Sequence, residues 1–276
     1  MRMRAGKDRI LSVDGFRLRV RAQGRADAPP IVLIHGFAQS LETWDAWADD
    51  LARDHRVVRF DLPGHGLSGP DPETRYSNEE TVDALDALLG VLKLERPVIA
   101  GSSLGGLVAW RYAARPRRRV RGLVLLAPGG FPINGVGDEP ADVPGAVEAY
   151  LRMAPPMMVR EATRGLYGDP GRLEDARLDV VVERMSARGV GEALVERLER
   201  FTLPDPEQAL ARVAAPSLIL WGRKDSAVPA EHAARFTAAL KRSEALIYDD
   251  LGHLPHEEDP ERTLEDVRRF IGRLRR

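Results

Sequence analysis

Short apolar runs alternate with longer amphipathic stretches along most of this chain, and this alternation constrains the fold more than any other feature. The short runs have the length of buried strands, and the stretches between them repeat apolar residues at helical spacing. We expect strands at 31–34, 56–60, 97–100, 120–126, 217–221 and 245–248, and helices at 41–53, 78–92, 104–114, 230–240 and 260–274. Strands that alternate with helices predict a mostly parallel sheet with helices on both faces.

Two segments depart from this alternation. Residues 10–13 and 16–21 alternate in polarity around Asp14-Gly15, a dipeptide that suits a two-residue hairpin turn because both positions tolerate positive φ. From Pro128 to Asp205 we find no convincing buried strand, only helical segments punctuated by proline and glycine. These helices are expected at 143–153, 157–167, 172–187 and 191–201. We therefore predict an eight-stranded α/β core of residues 1–130 and 206–276, interrupted by a helical cap of residues 131–205.

Composition removes several classes of function. The chain has no cysteine, which excludes disulfides, thiol catalysis and cysteine-bound metals. A net charge of −1 provides no long-range field that would attract nucleic acid. The arginines at 115, 117, 118, 119 and 121 favour a solvated helix end, since no aromatic residues are interleaved with them as stacking platforms. Without a signal peptide or a run of membrane-spanning length, we expect a cytoplasmic protein with no nucleic-acid partner, and the sequence leaves its oligomeric state open.

The strongest chemical signal is the sequence Gly-Ser-Ser-Leu-Gly at residues 101–105. The pattern G-x-S-x-G is short, but here it follows an apolar strand and opens a helix, which is the setting that a nucleophilic serine on a sharp turn requires. Glycines at 101 and 105 fit because side chains there would collide with neighbouring backbone in so tight a turn. Ser103 is therefore the predicted nucleophile.

A serine hydroxyl needs a base to become nucleophilic. His253 comes just after the last predicted strand, at the same edge of the sheet as Ser103, and His256 is its nearest competitor. A metal site made of His253, His256, Glu257 and Glu258 is the other interpretation. We favour His253 as the base, because ligand spacing alone is a weak criterion and the acidic residues suit the first turn of the following helix. No metal is expected.

A base of this kind needs a carboxylate to orient it. Asp225 follows the penultimate strand directly, and strand ends at one edge of a parallel sheet converge. Asp175, Asp179 and Asp205 lie in or beside the predicted cap, where a solvated helix face explains them better. The resulting chain order is Ser, Asp, His, the order of α/β-hydrolases.

Two backbone amides are predicted to stabilise a developing oxyanion. One is that of Phe37, in the loop that follows the third strand, and the other is that of Leu104, directly after the nucleophile. We expect His35 to be structural and to pack beneath this loop, and His65 to belong to a rigid turn-rich loop at 61–68.

With these residues in place, the chain resembles the α/β-hydrolase superfamily, in its branch of single-domain serine esterases with a helical cap. The resemblance runs from about Asp14 to Phe270 and rests on residues 35–37, 61–68, 101–106, 221–225 and 251–255. It implies a Ser103–His253–Asp225 triad, a lid over the site and hydrolysis without a cofactor. Dehalogenases and epoxide hydrolases of this fold use an aspartate nucleophile, so Ser103 argues against both. A protein of this fold that only binds ligands is disfavoured by the complete triad.

Three serine-dependent chemistries of the superfamily remain beside ester hydrolysis. Carbon–carbon bond hydrolases of ring-fission products resemble one another in a tryptophan after the base, where this chain has Leu254, and in polar pocket groups for which it offers few asparagines. Perhydrolases often have methionine in the place of Leu104. Aminopeptidases need carboxylates in the cap, and Glu161, Glu174 and Glu183 are better explained as surface positions. The resemblance thus favours a carboxylesterase.

The predicted substrate is a small to medium hydrophobic ester. Met153, Met157 and Met158 are the candidates for an adaptable apolar wall of the substrate pocket, although ordinary packing between cap and core would explain them equally well.

Overall fold

The structure is a computed structural model and describes residues 6–116 and 120–274. Residues 117–119 of the predicted basic run lie outside the described residues, as do 1–5 and 275–276. Within the described chain, eight strands form one sheet in the order β1-β2-β4-β3-β5-β6-β7-β8. The strands are β1 (Arg9–Val13), β2 (Phe16–Gln23), β3 (Pro30–Ile34), β4 (Arg56–Phe60), β5 (Val98–Ser102), β6 (Gly122–Leu126), β7 (Ser217–Gly222) and β8 (Ser243–Tyr248).

The sheet is antiparallel at one end and parallel elsewhere. β1 pairs with β2 and β2 with β4 in antiparallel fashion, and each later pairing is parallel. The hairpin closes as predicted, with Val13 opposite Phe16 and positive φ at both Asp14 (49°) and Gly15 (80°). Positive φ at both central positions is what a type I′ turn requires. The predicted fold class is confirmed.

Helices cover both faces of the sheet. They are α1 (Asp45–Leu51), α2 (Asn78–Val91), α3 (Leu104–Ala114), α4 (Gly145–Met153), α5 (Pro156–Arg164), α6 (Asp175–Met185), α7 (Val190–Leu198), α8 (Glu207–Leu210), α9 (His232–Ala239), α10 (Pro255–Glu258) and α11 (Pro260–Arg273). One apolar cluster joins α2, α3 and α9 to one face, and a second joins α1 and α11 to the other. Along β5, Ile99 belongs to the first cluster and its neighbours Val98 and Ala100 to the second, as the two-residue period of a strand dictates.

Helices α4 to α7 lie between β6 and β7 and have an apolar cluster of their own. Leu151, Val159, Val181 and Leu194 are buried in it. Phe37, from the loop after β3, packs against this cluster and against the core of the sheet. The helical insertion therefore contacts the loop in which an oxyanion donor was predicted. Whether residues 131–205 form a separate cap stays a prediction.

None of the helices in the described ranges combines the length and the apolar character that crossing a membrane would need.

Candidate active site

Ser103 occupies a sharp turn between β5 and α3. Its backbone has φ 52° and ψ −115°, a conformation that costs a residue with a side chain on the order of 1–3 kcal/mol. Neighbouring backbone holds it there: its amide donates to the carbonyl of Leu126 at 2.9 Å, and its own carbonyl accepts from Leu107 and Gly129, each at 3.0 Å. The fold thus maintains a strained serine at the carboxyl end of a central strand.

The flanking glycines are there because the turn leaves no room for a side chain. A Cβ at Gly101 would lie 2.2 Å from the carbonyl oxygen of Gly105. A Cβ at Gly105 would lie 2.2 Å from the carbonyl oxygen of Ile34 and 2.5 Å from that of His35. The turn is therefore seated directly on the end of β3, which explains the glycine pattern that the sequence shows.

Asp225 and His253 meet as a hydrogen-bonded pair. His253 Nδ1 lies 2.8 Å from Asp225 Oδ2, and both side chains are nearly or fully buried. The other carboxylate oxygen of Asp225 accepts from the amides of Ala227 (2.8 Å) and Val228 (2.9 Å), which fixes its orientation. Because an ionised carboxylate only accepts, we assign the proton to Nδ1 and leave Nε2 as the basic nitrogen.

The sheet brings this pair to the same edge as Ser103. Ser103 follows β5, Asp225 follows β7 and His253 follows β8, and these strands are parallel neighbours with β6 between the first two. Among residues 6–116 and 120–274 no hydrogen bond joins Ser103 Oγ to His253. A bond between nucleophile and base is often long before substrate binds and tightens in the complex.

The loop of the predicted oxyanion donor runs beside the nucleophile. A Cβ at Gly36 would lie 3.2 Å from Ser103 Cβ and 3.9 Å from Ser103 Oγ, so this backbone passes close to the nucleophile and a side chain there would be a tight fit. Leu104 is the first residue of α3, where an amide has no carbonyl partner within the helix. That the amides of Phe37 and Leu104 stabilise an oxyanion stays a prediction.

His35 and His65 are structural, as the sequence predicted. His35 is fully buried, donates from Nδ1 to the carbonyl of Gly36 at 2.8 Å and accepts at Nε2 from the amide of Leu62 at 2.9 Å. His65 packs edge-on against Phe37, with ring centres 5.9 Å apart. Burial lowers the pKa of both imidazoles, that of His65 well below its ordinary value, so they support the loop as neutral rings.

His256, the competitor for the role of base, lies in the core and not at the site. Its ring stacks on Trp44 with centres 4.2 Å apart, and Nε2 lies 3.0 Å from Thr43 Oγ1. Burial lowers the pKa of His256 to about 4. His256 and Glu257 both contact the hydroxyl of Thr43, whereas His253 and Glu258 have other partners. In the described parts of the chain no three acidic or histidine side chains are grouped to hold a metal ion.

Glu257 and Glu258 correct one expectation. They do not serve the first turn of the last helix, which is capped by Asp259 through the amide of Arg262 at 3.2 Å. Both carboxylates turn inward and are largely buried, and they bind groups of the helical insertion about 80–90 positions away. No local pattern in the sequence could reveal partners at such a separation.

The three candidate pocket methionines lie at the surface, one at the end of α4 and two in the first turn of α5. Met153, Met157 and Met158 are 69%, 77% and 53% exposed. Their assignment to the wall of a substrate pocket stays a prediction. Glu161 and Glu183, 68% exposed, lie at the surface as expected.

Comparison with known proteins places this geometry in context. The family model described as alpha/beta hydrolase fold matches residues 29–260. The chain is 31% identical to the dihydrolipoyllysine-residue acetyltransferase component of the acetoin cleaving system of Pseudomonas putida, over 94% of this chain and 68% of that protein. It is 30% identical to a 2-hydroxy-6-oxononadienedioate/2-hydroxy-6-oxononatrienedioate hydrolase of Cupriavidus pinatubonensis, over 90% of both chains. A crystal structure provisionally assigned to an aryl esterase from Burkholderia cenocepacia is similar with a TM-score of 0.80 and 26% identity, covering 96% of this chain and 98% of that one.

Proposed function

Because the chain belongs to the α/β-hydrolase fold family, we propose that it is a serine hydrolase that cleaves small to medium hydrophobic carboxylic esters through an acyl-enzyme. The observation that supports this best is the buried His253–Asp225 pair, 2.8 Å apart, at the same sheet edge as the strained Ser103. A nucleophile, a base and an orienting carboxylate are the three parts that acyl transfer to serine requires.

The proposed reaction proceeds in two halves. His253 Nε2 takes the hydroxyl proton of Ser103 as Oγ attacks the ester carbonyl, and the amides of Phe37 and Leu104 stabilise the oxyanion. Protonated His253 gives its proton to the departing alcohol, and the acyl group remains on Ser103. His253 then takes a proton from water as the water attacks the acyl-enzyme, and returns that proton to Ser103 Oγ as the bond between Oγ and the acyl carbon breaks and the acid leaves. Asp225 holds Nδ1–H throughout and stabilises the cationic ring.

We assign the helical insertion, residues 131–205, the role of a lid over this site. Its apolar cluster packs against Phe37, so it lies beside the proposed oxyanion donors. The buried Arg197 of α7 supports the same assignment, since its guanidinium donates to the carbonyls of Pro63 and Tyr76, each at 3.0 Å. Each proposed step is supplied by the chain's own residues, without a metal or organic cofactor.

Hydrolysis of a carbon–carbon bond is the second candidate, because the Cupriavidus pinatubonensis hydrolase is 30% identical over 90% of both chains. Against it stands Leu254, which follows His253 where hydrolases of that type resemble one another in having tryptophan. Ester hydrolysis is therefore the first candidate.

One screen tests both candidates. Wild type and Ser103→Ala are assayed with p-nitrophenyl esters of increasing acyl length, a ring-fission diketone and an aminoacyl substrate. We expect ester turnover in wild type and a loss of about 10⁴-fold or more in kcat for Ser103→Ala, since a triad acts as a unit. Ester turnover that survives the substitution contradicts the assignment of Ser103, and faster turnover of the diketone favours the second candidate.

A further inference from the structure

The buried carboxylate of Glu258 binds two parts of the chain at once. Glu258, the last residue of α10, is 5% exposed. Its Oε2 accepts the amide of Gly252, the residue before His253, at 2.8 Å. The same oxygen accepts the amide of Gly168 at 3.0 Å, and Oε1 accepts that of Asp169 at 2.7 Å. One side chain thus joins the backbone of the proposed base to the helical insertion.

These two segments are in direct backbone contact. The amide of His253 donates to the carbonyl of Leu166 at 2.7 Å. A Cβ at Gly252 would lie 2.4 Å from both Gly168 N and Leu166 O, and a Cβ at Gly168 would lie 2.6 Å from the carbonyl oxygen of Asp250. No side chain fits between the segments, so a displacement of residues 166–169 displaces the backbone at His253.

The neighbouring carboxylate, that of Glu257, differs from Glu258 in the kind of group that it binds. Glu257 also joins the insertion to the core, but through side chains: it binds Arg177 Nε at 2.6 Å, Tyr167 OH at 3.1 Å and the hydroxyl of Thr43. It accepts none of the backbone amides that flank His253 among the hydrogen bonds of the described chain. Glu257 is therefore a matched control, since it is a buried acid that contacts the same segment through the side chain of Tyr167 but is not bonded to the backbone amide of Gly252 beside the base.

We propose that Glu258 is a positioning residue that holds His253 in place only while residues 166–169 of the insertion are seated against it. This inference rests on the proposed function, because it assigns His253 the role of base. The carboxylate of Glu258 then fixes both the position of the insertion and the orientation of His253. Release of residues 166–169 would misplace the imidazole of His253 and leave substrate contacts elsewhere in the site unchanged.

The substitution Glu258→Gln separates this role from general stability. A glutamine keeps the shape of the side chain but has one accepting oxygen, so it cannot accept from all three amides on two oxygens as the carboxylate does. A reacting group displaced by about 1 Å can cost about 10²-fold in rate. We expect kcat to fall about 10- to 100-fold while KM stays within about threefold, because the loss concerns the chemical step.

The experiment compares wild type, Glu258→Gln and Glu257→Gln. It measures kcat and KM with p-nitrophenyl butyrate, the rate at which a fluorophosphonate labels Ser103, and the midpoint of thermal unfolding. Support for the proposal is a parallel fall in kcat and labelling rate in Glu258→Gln only, with Glu257→Gln within about threefold of wild type although it leaves Arg177 without its carboxylate. Equal losses in both variants, unchanged kcat in Glu258→Gln, or an effect on KM alone would overturn it.

Two further arms keep the result interpretable. Gly168→Ala forces the two segments apart while leaving Glu258 intact, so it should reproduce the fall in kcat if Glu258→Gln does not fold, and unchanged kcat in a folded Gly168→Ala refutes the coupling. Labelling of Ser103 does not depend on the natural substrate. If wild type is labelled but hydrolyses no ester, the ester proposal fails alone, and the Glu258 comparison is decided by the labelling rates.

Discussion

His256 should make the fold sensitive to acid. Its imidazole is 1% exposed and stacks on Trp44. Burial lowers the pKa of His256 from 6.5 to about 4, helped by Arg177 and His253 and opposed by Glu257. In the unfolded chain the same imidazole takes up a proton near pH 6.5. Between about pH 6.5 and 4 the unfolded state therefore binds more protons than the folded state, and the free energy of unfolding falls as the pH falls.

The size of the effect follows from the two pKa values. For a single group that titrates at 6.5 when unfolded and at about 4 when folded, stability is lower at pH 5 than at pH 7 by about 2 kcal/mol. Because the side chain is almost completely buried, solvent screening does not reduce this figure much. The loss ends near pH 4, where both states are protonated.

Substitution with phenylalanine removes the titration and keeps a ring against Trp44. Urea unfolding followed by fluorescence, at pH 5 and pH 7, gives the free energy of unfolding of wild type and of His256→Phe. The drop between the two pH values should be about 2 kcal/mol smaller in the variant, even if the variant is less stable at both because it loses the bond to Thr43. The contributions of His35 and His65 are common to both proteins and cancel. An equal drop in the two proteins would refute this account of His256.

Three other substitutions test the site and its turn, one of them as a control. Gly105→Ala should lower the free energy of unfolding by about 3 kcal/mol, because its Cβ would meet the carbonyl of Ile34 at 2.2 Å. Gly272→Ala, in α11 with open space around it, should instead raise the free energy of unfolding by about 0.4–1 kcal/mol. Urea unfolding measures both, and a Gly105→Ala variant as stable as wild type would contradict the clash. Asp225→Asn should lower kcat for p-nitrophenyl esters about 10⁴-fold, because the asparagine cannot hold the same tautomer of His253; a fall of less than tenfold would mean that Asp225 does not orient the base.

Much of the sheet could be predicted because its buried strands are short apolar runs that stand out in the sequence. β4 has the predicted bounds at both ends, and α3 begins directly after Ser103 as expected. The expected helix at 41–53 is instead a 3₁₀ turn at Leu41–Trp44 followed by α1, since the first turn tightens before the α-helix begins. The four-residue helices α8 and α10 have too few turns to show a period of 3.6.

The candidate site, too, could be predicted only in part. Ser103, Asp225 and His253 could be nominated because each follows a recognisable strand, and the sheet carries its strand ends to one edge. The sequence could not predict where the side chains of the insertion lie, because an amphipathic pattern shows which residues are apolar but not which face meets the core. The role of the three exposed methionines therefore stays a prediction. Glu258 was assigned to a helix terminus because its partners in the insertion lie about 90 positions away in the sequence.

The backbone strain at Ser103 also bears on how this protein can change over evolutionary time. A φ of 52° persists only because the carbonyl of Leu126, the amides of Leu107 and Gly129 and the close seating of Gly105 all impose it. Substitutions that loosen any of these contacts let the turn relax to a more favourable backbone while the two apolar layers of the sheet remain intact. Activity is then lost before the fold is, and a lineage freed from selection for hydrolysis would keep the scaffold as a stable, inert protein on which new binding surfaces can arise.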